Sequence, residues 1–220
     1  MANLYLFDID GTLVDLTESH LKAYKDTFKQ IAGRVPLDEI IKGTWGMTEI
    51  DCHKIILQSI GADISLLEKT LAEFQKRDKQ EIASGNIRTL PGVREFLNYL
   101  VSTNQFRGII TGNTKITGEQ ILQRTNLIQY FQVFSYGDNE FSRANIIRSA
   151  IASAKRKGLI FNKSIIIGDT PADVESAKEV GTLSVAVATG HKSINLLRNI
   201  GADLVLNDLT EFRKIYALTK

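Results

Sequence analysis

Two short stretches of this chain place carboxylates where they could hold a cation or handle a phosphoryl group. The first is Asp8-Ile9-Asp10-Gly11-Thr12, directly after the apolar run Asn3–Phe7. Residues i and i+2 of an extended chain point to one face, so Asp8 and Asp10 are presented side by side. Like charges this close require a cation or a shared proton. Asp-Gly-Thr is also ordinary turn material, and a turn accounts for Asp10-Gly11 taken alone. Two aspartates closing a buried strand ask for more. The second stretch is Ile167-Gly168-Asp169-Thr170-Pro171-Ala172-Asp173, where another apolar run ends in a carboxylate. Thr170 reads as a helix N-cap with Pro171 at the first helical position. Asp173, three residues on, has the position of a capping-box partner as well as of a site carboxylate. Asp8, Asp10 and Asp169 then converge on one edge of a sheet. An all-oxygen set of this kind suits Mg²⁺, which keeps several waters and commonly works on phosphate.

A third stretch, Thr111-Gly112-Asn113, follows the run Phe106–Ile110. A hydroxyl, a glycine that lets backbone approach and an amide make a cradle for an oxyanion or phosphate. Arg143, beside Ser142 at a helix start, brings a fixed positive charge to the same kind of group. Alone, each of these is ordinary loop or surface material.

These residues need elements to position them. Asn3–Phe7, Phe106–Ile110, Val133–Ser135, Ser164–Ile167, Leu183–Ala188 and Leu204–Leu206 are short, apolar, and bounded by Gly, Asp, Asn or Thr, which reads as strands. Between them Val93, Phe96, Leu97, Leu100 and Val101 share one helical face, as do Ile147, Ile151 and Ala154. Ser142 is placed to cap the latter helix and Gly158 to end it. Strand–helix alternation predicts an α/β fold, a parallel sheet with helices on both faces. From about Asp15 to Gly85 the alternation stops and helical patterning takes over. Leu21, Tyr24, Phe28 and Ile31 make one stripe, and Leu67, Leu71 and Phe74 another. This is too long for an ordinary crossover. The expected division is therefore a discontinuous core, 1–14 with 86–220, and an inserted α-helical domain, 15–85.

Taken together, DIDGT at 8–12, TGN at 111–113 and GDTPAD at 168–173, in that order and each after an expected strand, resemble the haloacid dehalogenase superfamily and its phosphatases. The resemblance implies a Rossmann-like core in which Asp8 is a nucleophile taking the phosphoryl group, and Asp10 protonates the leaving alcohol and then activates water. It implies that Asp8, the backbone carbonyl of Asp10, and Asp169 hold Mg²⁺. Thr111, Gly112 and Asn113 would bind the phosphoryl oxygens, and Asp173 would support the basic residue or metal-bound water. The family usually supplies a lysine between its second and fourth motifs. Here 137–145 reads Gly-Asp-Asn-Glu-Phe-Ser-Arg-Ala-Asn, with no lysine before Lys155, and Arg143 occupies the fitting place. Arginine carries the charge with a different geometry.

An aspartate at position 10 sets the chain apart from the dehalogenase branch and favours phosphate monoesters. The insertion resembles the family's helical C1-type cap, which closes over the site and selects substrate. Within it, Gly46-Met47-Thr48-Glu49 resembles the specificity loop of phosphoglycolate-phosphatase-like members, with Trp45 adjoining, and His20 sits where that group has a cap residue. Packing within the cap serves equally for Trp45 and Met47, and a surface or capping role for His20. A sugar-phosphate phosphomutase is the alternative, supported by Lys42-Gly43. Mutases of the family tend to carry an extra acid where this chain has Gly168. A non-catalytic phosphate-ligand-binding protein is a third reading, motivated by the missing lysine.

Composition narrows the partners. The chain has 220 residues, 27 Lys+Arg against 25 Asp+Glu, and 43% hydrophobic residues. A net charge of +2 is no nucleic-acid-binding signature. No apolar run approaches the roughly 18–20 residues of a membrane span, and no signal peptide is expected. One cysteine, Cys52, cannot form an internal disulfide, which fits a reducing, cytoplasmic compartment. The expected partner is a small-molecule phosphate ester.

Overall fold

The computed structural model describes residues 2–45, 47, 49–139 and 142–219. They form two compact units, Met1–Asp15 with Arg88–Lys220, and Leu16–Ile87. From the N-terminus, β1 (Leu4–Phe7) and the two-residue β2 (Val14–Asp15) precede α1 (Thr17–Ala32), α2 (Asp38–Thr44), α3 (Glu49–Ser59) and α4 (Leu67–Ser84). The chain returns through β3 (Arg88–Thr89) and continues as α5 (Val93–Ser102), β4 (Phe106–Ile110), α6 (Lys115–Arg124) and β5 (Val133–Ser135). Then come α7 (Arg143–Arg156), β6 (Ser164–Gly168), α8 (Pro171–Val180), β7 (Leu183–Val187), α9 (Ile194–Asn199) and β8 (Leu204–Leu206). No helix among the described residues is long and apolar enough to cross a membrane.

In the first unit, six strands form a parallel sheet in the order β5-β4-β1-β6-β7-β8. All four residues of β1 are buried, and β4 and β6 bury all but their first residue. Strands covered on both faces need such continuous apolar runs, and the strand readings above agree with the structure to within a residue at each end. One face packs Leu4, Leu6, Ile110, Val133 and Ile166 against Ile146, Ile147 and Ala150 of α7 and Ala177 of α8. On the other, the rings of Tyr5 and Phe7 each lie 5.8 Å from Phe96 of α5. Helices thus cover both faces. Fully burying one such Leu, Ile or Phe contributes roughly 1.5–3 kcal/mol.

Two local expectations change. Val101, assigned to the buried stripe of α5, is 45% exposed, because that face is filled by Val93, Phe96, Leu97 and Leu100 and the helix ends at Ser102. Ser142 sits at the N-cap of α7 in an extended conformation, with no capping bond from its side chain.

The order of strands places the site. From β1 the chain builds outward through β4 and β5, then returns to the other side of β1 and builds outward through β6, β7 and β8. The direction reverses at β1, and ligands of open α/β sheets bind at the carboxyl ends of strands flanking such a switch. In register, Phe7 pairs with Ile109 on one side and Ile167 on the other. Asp8, Thr111 and Asp169 are the first residues past the ends of β1, β4 and β6, the latter two one step further along than Asp8.

The second unit is helical. Its core joins Leu21, Ala23, Tyr24 and Phe28 of α1, Ile41 of α2, Cys52, Ile56 and Leu57 of α3, and Phe74 of α4. Both sequence stripes contribute, with Ile31, Leu67 and Leu71 half-buried at the margin. Cys52 is buried and its thiol donates to the Thr44 carbonyl at 3.3 Å. The chain segments that bound this unit pair with each other: β2 and β3 are antiparallel, Val14 opposite Thr89 and Asp15 opposite Arg88.

Candidate active site

Three side chains meet immediately beyond the sheet edge. Asp8, Asp169 and Asp173 are all buried, and each offers a carboxylate oxygen within 4.8 Å of the others. Arg143, at the first turn of α7, reaches into this group. Its Nη2 lies 2.8 Å from Asp8 Oδ1, and Nη2 and Nε donate to Asp173 Oδ1 at 2.5 and 2.9 Å. The half-buried guanidinium supplies a fork of donors that a single-point ammonium does not, so one side chain joins two carboxylates.

Asp173 serves two purposes. Its Oδ2 accepts from the Thr170 backbone N–H at 3.1 Å and from the Thr170 hydroxyl at 2.6 Å, while the Thr170 hydroxyl accepts from Asp173 N–H at 3.3 Å. That is the capping box read from the spacing, with Pro171 in the first turn. The other oxygen holds Arg143, so one carboxylate both closes the capping box and pairs with the guanidinium.

Asp10 stands slightly apart. Its Oδ2 accepts from the Asn113 amide at 2.5 Å, and the same amide donates to Thr111 Oγ1 at 3.1 Å. The expected convergence of Asp8, Asp10 and Asp169 side chains is therefore a trio of Asp8, Asp169 and Asp173, with the Asp10 carboxylate turned toward the loop after β4. That loop is braced from the next strand: Thr111 N–H donates to the Ser135 carbonyl at 3.2 Å, and Gly137 N–H donates to the Asn113 carbonyl at 2.9 Å. A Cβ placed at Gly112 would lie 3.7 Å from Arg143 Nη1, so the guanidinium passes directly over this backbone. Thr111, Gly112, Asn113 and Arg143 are thus brought together.

Burial dominates the electrostatics. It pushes the Asp8 carboxyl up to about 7, against the pull of Arg143 and with the help of Asp173 and Asp10. Asp169 is also pushed well above the carboxylate range, by burial first and then by Asp8 and Asp173. Burial works against the charge of Arg143, yet Asp173 and Asp8 more than offset this and hold its pKa above the usual value. One guanidinium faces three buried carboxylates, so burial favours protons on the carboxyls it does not balance. A hard divalent cation with oxygen ligands can take the place of those protons, and this donor set can hold one.

Asp169 is tightly enclosed. Gly11 has φ +72°, which an L side chain rarely adopts, and a Cβ there would stand 2.5 Å from Asp169 Oδ2. A Cβ at Gly190 would overlap the same oxygen, and the Thr12 hydroxyl lies 3.4 Å from Asp169 Oδ1. A Cβ at Gly168 would overlap the Asp173 carboxylate, leaving no room for an acidic side chain there.

The remaining candidates lie in the helical unit. His20 pairs with Asp78, Nδ1 to Oδ1 at 2.7 Å. Trp45 packs half-buried against the helical core, and Met47 is 52% exposed. Gly46 and Thr48 lie outside the described residues.

A carboxylate cluster with an arginine at the switch point of a parallel sheet marks the ligand-binding edge of an α/β enzyme. Residues 5–187 match the family described as Haloacid dehalogenase-like hydrolase, and the chain belongs to that family. A phosphoglycolate phosphatase of Agrobacterium fabrum is 24% identical, the alignment covering 94% of this chain and 89% of that protein. A phosphorylated carbohydrates phosphatase of Thermotoga maritima is also 24% identical, over 80% of each chain. Among solved structures, a haloacid dehalogenase-like family hydrolase from Streptococcus pneumoniae superposes with a TM-score of 0.84 at 21% identity, covering 98% of both chains.

Proposed function

We propose that this hydrolase is a Mg²⁺-dependent phosphatase that releases inorganic phosphate from a small phosphorylated metabolite. The observation that carries the reading is the 2.8 Å contact of Arg143 with Asp8 at the carboxyl end of the central strand, beside the Asp10–Asn113 pair. A carboxylate in contact with a fixed cation, with a second carboxyl group nearby, supports that chemistry. The curated relatives named above are phosphatases of small phosphorylated compounds, which supports the same chemistry.

In this reading an oxygen of Asp8 attacks phosphorus in line with the ester oxygen. The bond from phosphorus to the alcohol breaks, and Asp10 delivers a proton to the departing oxygen. Asp8 now carries the phosphoryl group as an acyl phosphate. Water then attacks phosphorus, Asp10 takes its proton, and Asp8 and inorganic phosphate separate. Arg143 and the Thr111–Asn113 loop receive the phosphoryl oxygens, so the protein's part is chiefly positioning and charge neutralisation. Asp8, the backbone carbonyl of Asp10, and Asp169 would hold Mg²⁺, which supplies further neutralisation of those oxygens when bound. Asp173 orients Arg143. Residues 1–14 with 86–220 act as the catalytic core and 15–85 as the cap, with His20, Trp45, Gly46, Met47 and Thr48 as its candidates for choosing the ester. Gly168 favours the phosphatase over a mutase, because the extra acid of the mutases would collide with Asp173.

The direct test is turnover of para-nitrophenyl phosphate and a panel of metabolite phosphates. Phosphate release with Mg²⁺ and its loss with EDTA are expected. Interconversion of hexose phosphates without net phosphate release would establish a mutase, and binding without turnover of any ester would make the chain a phosphate-ligand receptor.

A further inference from the structure

The loop after β7 takes part in the site although nothing in its composition advertises chemistry. Ala188 N–H donates to the Leu206 carbonyl at 2.9 Å, which anchors the start of the loop to β8. The Thr189 hydroxyl then donates to the Gly11 carbonyl at 2.5 Å, across 178 residues of sequence. β7 neighbours β6, and β6 neighbours β1, so this bond reaches past the end of β6 to the turn that follows β1. Asp169 leaves the end of β6, and its carboxylate lies where Cβ atoms on Gly11 and Gly190 would both intrude. The carboxylate is therefore walled by two glycine backbones, with Thr12 beside it, and the Thr189 hydroxyl ties the two walls together.

We propose that Thr189 and Gly190 are positioning residues for the Asp169 carboxylate, and through it set how tightly the site holds its divalent cation. The proposal rests on the reading of Asp169 as a cation ligand. Gly190 removes the side chain that would displace Asp169, and Thr189 fixes the distance between the Gly11 turn and the β7 loop. Groups that orient a metal ligand without touching the metal commonly alter affinity by about 10–100-fold when removed.

The test compares wild type with Thr189→Val, Thr189→Ser, Gly190→Ala and Asp169→Asn. Mg²⁺ binding is measured by calorimetry without substrate, and the Mg²⁺ dependence of turnover is measured separately. Thr189→Val should weaken Mg²⁺ binding about 10-fold, with much of the lost turnover recovered at high Mg²⁺, and Thr189→Ser should restore both. Gly190→Ala should weaken binding more. Thermal midpoints in EDTA keep loss of affinity distinct from loss of fold, and Thr189→Val, nearly isosteric, remains decisive if Gly190→Ala does not fold. Wild-type Mg²⁺ affinity in Thr189→Val, alongside a large loss in Asp169→Asn, would overturn the positioning role and leave the phosphatase reading intact. Undiminished Mg²⁺ binding in Asp169→Asn would instead overturn the cation-site reading, and the positioning role with it.

Discussion

Asp8, Asp169 and Asp173 in the sheet unit are buried, as is His53 in the helical unit, and the two neighbourhoods differ in what could restore the charge. At the sheet edge Arg143 stands among the carboxylates, and burial raises Asp8 and Asp169 toward their protonated forms in a place where a cation could replace the proton. In the helical unit His53 is ringed by Tyr24, Phe28 and Phe74, with ring centroids 5.2–5.5 Å away. Its Nδ1 lies 2.9 Å from Thr70 Oγ1, whose own proton goes to the Leu67 carbonyl at 2.8 Å. The hydroxyl is thereby the acceptor, so Nδ1 carries the proton. Nε2 has no hydrogen-bond partner among the described residues, and burial lowers the imidazole to about 4. The helical unit buries a titratable group by discharging it. The sheet unit buries several beside an arginine, clustered so that a cation could restore their charge. That contrast separates a histidine used as a shape from carboxylates used for chemistry.

The largest effect that could break this contrast is at Asp8. Asp8→Asn keeps the shape and removes the nucleophile, so turnover should fall by about three orders of magnitude or more while circular dichroism is unchanged. Normal turnover in that variant would mean the nucleophile lies elsewhere.

Next comes Arg143→Ala, which leaves Asp8 and Asp173 facing each other in a buried place. Removing one partner of such a pair destabilises by about 3–5 kcal/mol, readable in urea, and phosphate release should fall as well. A wild-type rate would redirect the search to another Lys or Arg. Arg143→Lys should recover part of both losses, since it restores the charge but not the fork.

The smallest effect concerns His53 and pH. Its folded pKa lies below the unfolded value of 6.5, so the unfolded chain binds more protons as pH falls. Stability is therefore full above about pH 6.5 and is lost progressively toward pH 4, by roughly 3 kcal/mol. Urea midpoints from pH 7 to 4 should fall less in His53→Leu than in wild type, the carboxylates being common to both. Parallel curves would show that His53 does not titrate on unfolding.

Much of the sheet was legible because parallel strands buried on both faces need apolar runs, as Leu4–Phe7 and Ile165–Ile167 are. Asp8 and Asp169 were visible for the complementary reason, being charges placed directly after such runs. Arg143 could be found from its position at a helix start. The Thr189 bond to Gly11 could not, because Ala188-Thr189-Gly190 reads as any turn and its partner is fixed only by strand order. Nor does anything near His53 in sequence tell a buried imidazole from an exposed one. Its surroundings come from α1 and α4, brought together by packing. Val101 fails for a related reason: a helical stripe shows which residues lean to one side, not how wide the neighbour's surface is. The direction of the Asp10 carboxylate also escaped, since two side chains on one face can still turn to different partners.

The pairing of Val14–Asp15 with Arg88–Thr89 gives the chain an unusual economy of path. All of Leu16–Ile87 begins and ends at neighbouring strands, whose paired Cα atoms are only about 4.5–5.5 Å apart. The two ends of that segment are thus held together like the cut ends of a single thread, whatever hangs between them. A loop closed at its base adds little entropy cost as it lengthens, since each doubling adds only about 0.6 kcal/mol. The stem therefore makes the sheet unit a socket into which a short turn or a whole domain can be spliced without rerouting the strands.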